Sequence, residues 1–271
     1  MLDFIKKPKF LSLPYIIWMI AFCFLPSVLI LYFSLVDKNL NFTLNNFVDI
    51  FEYSSIFLRS LRLSFISTFF CFIFGYSFVL IISRFEQKIQ NTLIILTTIP
   101  NWINFLLKIY ALMTILESNG ILNFLLNKLG FPNVNLMNTP KAIVFGLVYN
   151  CLPYMIIPIH ASISKIDKNI IESAKDLGAN NFKIFTKIIF PLSVPGIISG
   201  FLITFIPSMS AFAISKMLGG KITMIGELIE LKFIGGEYNP HSGSALAVFF
   251  IILTLLISNV KSSKNKKIHS I

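Results

Sequence analysis

Six stretches of the chain, residues 11–35, 60–83, 92–116, 142–163, 192–213 and 243–260, are long and apolar enough to cross a lipid bilayer. A span takes about 20 apolar residues. Inside hydrocarbon a backbone must satisfy its own hydrogen bonds, so such stretches become helices. That constraint predicts an all-α, polytopic membrane protein with six transmembrane helices. A chain of 271 residues then has no room for a large soluble domain, and residues 1–271 read as a single transmembrane domain. Charged residues are only 13% of the chain, against about 25% in soluble proteins, and mean hydropathy is +0.79. The first apolar run lacks a small-residue cleavage site, so it reads as a retained span. Pro14, Pro26, Pro100, Pro153, Pro158 and Pro207 fall inside spans, with a kink expected near Pro100, and neighbouring helices or a water-lined path must satisfy the freed backbone groups.

Six crossings put both termini on one side, and the placement of charge says which. That side carries 14 Lys/Arg against 5 Asp/Glu, the opposite side 8 against 7, and Lys108 remains inside the membrane. Such an asymmetry predicts cytoplasmic termini. The net charge of +11 therefore belongs to lipid headgroups, with Lys261, Lys264, Lys266 and Lys267 as an anchor, and implies no nucleic-acid partner. Cys23, Cys71 and Cys151 are scattered through apolar runs, as are His160, His241 and His269 along the chain. They form neither a disulfide framework nor a metal-ligand pattern. No paired carboxylates or Ser/His/Asp set sits within the spans, so no catalytic residues are expected.

The longest charge-dense segment is the loop 164–191. Ile166, Ile170, Ala174 and Leu177 share one helical face, and Lys168, Glu172, Lys175 and Asp176 occupy the rest. Asp167 is placed to cap the helix, and Gly178 stands where a left-handed turn ends one. Asn180 or Asn181 caps a second short helix carrying Phe182, Phe185, Ile188 and Ile189, which Pro191 and Pro195 are expected to close.

Glu172-Ser173-Ala174, then Gly178, then after nine residues Ile188 and Phe190-Pro191, resembles the EAA loop of ABC-importer permeases, E-A-A, three residues, G, nine residues, I-x-L-P. Ser173 and Phe190 depart from the pattern and keep its small and apolar character. The resemblance implies a MetI-like ABC importer permease fold. Glu172, Ser173, Ala174, Gly178, Ile188 and Pro191 would then belong to a coupling helix that docks on a separate ATPase.

A second set of segments resembles the first permease of bacterial spermidine/putrescine importers. Pro100-Asn101-Trp102-Ile103-Asn104-Phe105-Leu106-Leu107-Lys108-Ile109-Tyr110 is similar to P-x-W-x-N-x-L-x-R-x-Y, with Lys108 in place of Arg. Gly146-Leu147-Val148-Tyr149, Leu152-Pro153-Tyr154, and Pro195-Gly196-Ile197-Ile198-Ser199-Gly200 also match. The stretches Ser210 to Lys216 and Tyr238-Asn239-Pro240-His241-Ser242-Gly243 depart from the pattern. The resemblance implies a polyamine permease in the bacterial cytoplasmic (inner) membrane. Its partners would be an ABC ATPase dimer, a second permease and an extracytoplasmic polyamine-binding protein. ATP and Mg would sit on the ATPase, because Gly219-Gly220-Lys221 lacks the leading Gly and the following Ser/Thr of a phosphate-binding loop.

Polyamines are polycations, so a path for them calls for aromatic faces and acids. Trp102, Asn104, Tyr110, Tyr149 and Tyr154 are candidate lining, with packing or helix–helix hydrogen bonding the competing role. Glu117, Glu227, Glu230 and Glu237 lie at or beyond the external ends, as solvated loop charge or as receivers of substrate. Lys108 would repel a cation in the path, so it reads first as a structural or interface cation and second as a gate. Import of another small solute, or ion-coupled secondary transport through broken helices, are the alternatives.

Overall fold

The computed structural model describes residues 13–236 and 238–268, without the side chains of residue 49 and of residues beyond 258. The N-terminal basic tail, Glu237 and the side chains of the basic C-terminal residues thus lie outside the described residues. Among the described residues the only β pairing is an isolated bridge between Val36 and Phe42. Six helical stretches are long and apolar enough to span a membrane: Leu13–Leu35, Asn45–Ile82, Phe105–Lys128, Pro140–Ile163, Asn181–Ser210 and Pro240–Ser258. The expected all-α, six-span architecture is present.

We name the helices α1 (Leu13–Leu35), α2 (Ser54–Ile82), α3 (Gln87–Thr98), α4 (Phe105–Leu116), α5 (Ile121–Lys128), α6 (Pro140–Ile163) and α7 (Lys168–Asp176). They continue with α8 (Asn181–Ser210), α9 (Phe212–Leu218), α10 (Ile225–Phe233) and α11 (Pro240–Ile268). The described residues gather into two compact units, although the sequence reads as one domain. The first holds residues up to Ser54 with Leu228–Leu256, and the second holds Ser55–Glu227 with residues from Ile257 onward.

In the first unit, α1 is apolar all round and largely exposed, as suits a helix whose solvent is lipid. The loop after it is tied back by Asn46, whose amide donates to the Ser34 and Val36 carbonyls at 3.1 and 3.0 Å. His241 Nδ1 lies 3.2 Å from the Phe33 carbonyl.

The second unit is built around α6. One cluster gathers Leu63, Ile109, Leu112, Ile143, Leu147, Ile214 and Leu218 from α2, α4, α6 and α9. The other gathers Cys71, Tyr76, Val79, Cys151, Met155, Ile156, Ile159 and Ile163 from α2 and α6. Helices α6 and α8 pack closely through small residues, as membrane helices do without a hydrophobic drive between them. A Cβ on Gly196 would lie 2.7 Å from the Ser162 Cβ, and one on Gly200 would lie 2.8 Å from Met155 Sδ. Cys71 and Cys151 are free thiols inside these contacts.

Two expectations about helix limits fail. The kink expected near Pro100 in the span 92–116 is a full break: α3 ends at Thr98, a 3₁₀ turn covers Ile99–Trp102, and α4 starts afresh at Phe105. Pro100 has no N–H to continue a helix, and the Asn104 side chain accepts from the Leu106 and Leu107 N–H groups, capping α4. Conversely, Pro191 and Pro195 close nothing. The second helix of the charged loop runs unbroken into the fifth span as α8, through a π-turn at Phe185–Ile189. The wider turn shifts the hydrogen-bond ladder just before Pro191, where a regular helix would need the missing N–H.

Candidate functional site

The charged loop folds as its local chemistry dictates. Asp167 accepts from the Asn169 N–H at 2.9 Å and caps α7. Helix α7 ends in a paired C-terminal lock. The Ala179 N–H donates to the Ala174 carbonyl at 2.9 Å and the Gly178 N–H to that of Lys175 at 2.8 Å, with Gly178 at φ +78°. That bond pair is the Schellman arrangement, which needs a left-handed residue. A Cβ on Gly178 would meet nothing within 4 Å, so the backbone conformation rather than packing requires glycine. Asn180 then caps α8 by accepting from the Lys183 N–H at 2.8 Å.

Helix α7 stands clear of the rest of the unit. Glu172, Ser173 and Gly178 are exposed, Ala174 is half-buried, and the apolar Leu177 is 89% exposed. The start of α8 is rooted instead. Ile184 is buried, and the Tyr76 ring packs edge-on against Phe185 and Phe190 with centroids 6.1 Å away in each case. Tyr76 Oη and Ser193 Oγ are hydrogen-bonded at 3.0 Å. Ile188 is half-buried and Pro191 exposed. An exposed amphipathic helix on a rooted base can transmit a push to α2, α6 and α8 together.

The second constellation centres on Lys108, which is 7% exposed. It lies one turn into α4, and its Nζ donates to Asn101 Oδ1 at 3.0 Å and Asn150 Oδ1 at 2.6 Å. Phe105 and Tyr149 each present a ring centroid 5.8 Å from it. The ammonium thus joins the 3₁₀ turn, α4 and α6 in one clasp. Two amide oxygens and two ring faces serve a cation where a span offers few other partners.

The candidate path residues divide. Asn104 is engaged as the α4 cap, Tyr149 flanks the Lys108 clasp, and Trp102 is 76% exposed, with Tyr110 and Tyr154 also exposed. The structure brings only Tyr149 to Lys108. Glu117 is exposed, whereas Glu227 in α10 is 7% exposed and so is not solvated loop charge. The buried run Met224, Ile225 and Leu228 around Glu227 carries helical spacing that marks this burial. Ile225 is tied down by its N–H donating to Ser60 Oγ at 2.8 Å. Among the described residues no group of three His, Cys, Asp or Glu side chains assembles.

Six candidate spans, with an exposed helix capped at both ends between two of them, define a polytopic membrane protein. Residues 80–260 match the family described as binding-protein-dependent transport system inner membrane component, and the chain belongs to that family. It is 35% identical over 260 residues to the spermidine/putrescine transport system permease protein PotB of Haemophilus influenzae, covering 92% of this chain and 91% of that one. To PotB of Escherichia coli strain K12 it is 34% identical over 251 residues, covering 89% and 91%. The fold is shared with a solved bacterial ABC transporter that imports the acidic polysaccharide alginate, with TM-score 0.81, 20% identity and 98% of both chains covered. A solved MetNI methionine ABC transporter covers 78% of this chain and 93% of its own, with TM-score 0.58 and 20% identity.

Proposed function

We propose that this chain is a permease subunit of an ATP-driven importer for spermidine and putrescine. The observation that carries the reading is α7: exposed, capped at both ends, and joined through Gly178 to a helix base rooted by Tyr76 and Ser193. In this mechanism an ATPase dimer grips α7 on the cytoplasmic side. Closure of the dimer on ATP and Mg moves α7, and the rooted start of α8 passes the movement to α2 and α6. The chain itself binds no nucleotide. A second permease completes the path, an extracytoplasmic binding protein delivers the polyamine, and both termini lie in the cytoplasm.

The polyamine reading is supported by the names of relatives that share about nine-tenths of the chain's length, and by exposed aromatic faces at Trp102, Tyr110 and Tyr154 suited to cations. Lys108 acts as a clasp and not as a gate, because its ammonium is held by Asn101 and Asn150. The test is radiolabelled spermidine uptake in proteoliposomes holding both permeases, the ATPase and the binding protein. ATP-dependent uptake competed by putrescine is the expected result. ATP-dependent uptake of a different solute that spermidine does not compete with would refute the substrate. Uptake driven by an ion gradient without ATP would refute the mechanism.

A further inference from the structure

A groove of about 970 Å³ runs between α2 and α6, and its chemistry is wrong for a polyamine. Arg59 and Arg62 from α2, Lys141 from the start of α6, and Lys221 line it with exposed side chains, and no Asp or Glu lines it. These are half of the Lys and Arg residues that the order of spans along the sequence assigns to the side opposite the termini, the others being Lys38, Lys128, Lys216 and Lys232. Like charges gathered without acids repel a polycation and attract an anion. The remainder of the groove is hydrocarbon, chiefly Phe70, Phe74 and Phe145, all exposed.

The geometry points to one occupant, an anionic phospholipid of the leaflet opposite the coupling loop. Its phosphate sits among Arg59, Arg62, Lys141 and Lys221, and an acyl chain lies along Phe70, Phe74 and Phe145. Arg62 and Phe74 are separated by about 18 Å of helix at 1.5 Å per residue. Half of a hydrocarbon layer is about 15 Å deep, so the groove has the reach of one leaflet. A phospholipid joins a charged head to a tail of that length in one molecule. A partner helix fills the apolar part but must bring carboxylates to all four cations. The bound lipid offsets the repulsion among these cations and fixes α2 against α6, the pair that carries Tyr76 and Met155 at its other end.

The test is native mass spectrometry of the assembled transporter, released from detergent and titrated with phosphatidylglycerol or with phosphatidylcholine of the same chains. Phosphatidylglycerol should be retained in preference. Each cation neutralised should lower its retention about fivefold, as expected for a basic residue near a lipid phosphate. The R59Q/R62Q/K141Q/K221Q protein should lose the preference, and the R59K/R62K/K141R/K221R protein should keep it. Equal retention of the two lipids by the natural protein, or an unchanged preference in the four-glutamine protein, overturns the proposal. So does an oxidant-driven disulfide between Phe145→Cys and a cysteine introduced into a span of the second permease, which would make the groove a protein interface.

Discussion

The exposed helix α7 and the clasp around Lys108 are both charged features in an apolar chain, yet they are built in opposite ways. The bonds that cap α7 are local: Asp167 to Asn169, Ala174 to Ala179, Lys175 to Gly178. The clasp is assembled across the fold, with Asn101 seven residues and Asn150 forty-two residues from Lys108. Local bonding lets α7 keep its shape while it stands clear of the rest of its unit. Distributed bonding makes the clasp a weld that holds a broken helix to its neighbour.

The largest expected effect breaks the local side of this contrast. Gly178→Pro cannot reach φ +78° and loses the N–H that bonds Lys175, and Glu172→Lys reverses the charge on the face proposed to dock. Uptake should vanish in both, with normal amounts of protein in the membrane by immunoblot. Gly178→Ala sharpens the point, because its Cβ meets no neighbour. Only left-handed strain remains, about 1–2 kcal/mol, so uptake should fall by less than in Gly178→Pro.

Lys108→Ala breaks the distributed side. It leaves the amide oxygens of the half-buried Asn101 and Asn150 without their donor, at a cost below that of a fully buried group, about 1–3 kcal/mol. The melting temperature of the detergent-solubilised transporter should drop, and co-purification with the second permease should weaken. An intact complex with faster polyamine flux would make Lys108 a gate instead. Tyr76→Phe removes one hydrogen bond to Ser193 and keeps both ring contacts. A loss of about 1 kcal/mol should appear as a small melting shift, with ATP hydrolysed per spermidine rising. The smallest effect is Asn180→Ala, an exposed cap worth about 1 kcal/mol. It should alter proteolysis at the loop more than uptake.

What could be read from the sequence follows the same division. The caps at Asp167 and Asn180 and the turn at Gly178 were legible because a few adjacent residues determine them. The six spans were legible because a bilayer imposes length and apolarity on each helix independently. The break before α4 was not, since Pro100 signals a kink but only the Asn104 cap turns it into a stop and restart. The continuity of α8 through Pro191 depends on a π-turn that no residue type announces. The root at Tyr76 and Ser193 joins residues 117 positions apart and does not follow from local pattern, whereas the burial of Glu227 was marked by the apolar spacing of Met224, Ile225 and Leu228 around it.

Thiol accessibility at Ser173→Cys in a Cys23→Ala background tests on which side of the membrane α7 lies and whether the ATPase covers it, since Cys23 is exposed while Cys71 and Cys151 are buried. In intact cells a membrane-impermeant maleimide should leave position 173 unlabelled. In inside-out vesicles it should label the site, and bound ATPase should protect it. Labelling from outside intact cells, or equal labelling with and without the ATPase, would contradict the assignment of α7 as the helix through which this permease is driven.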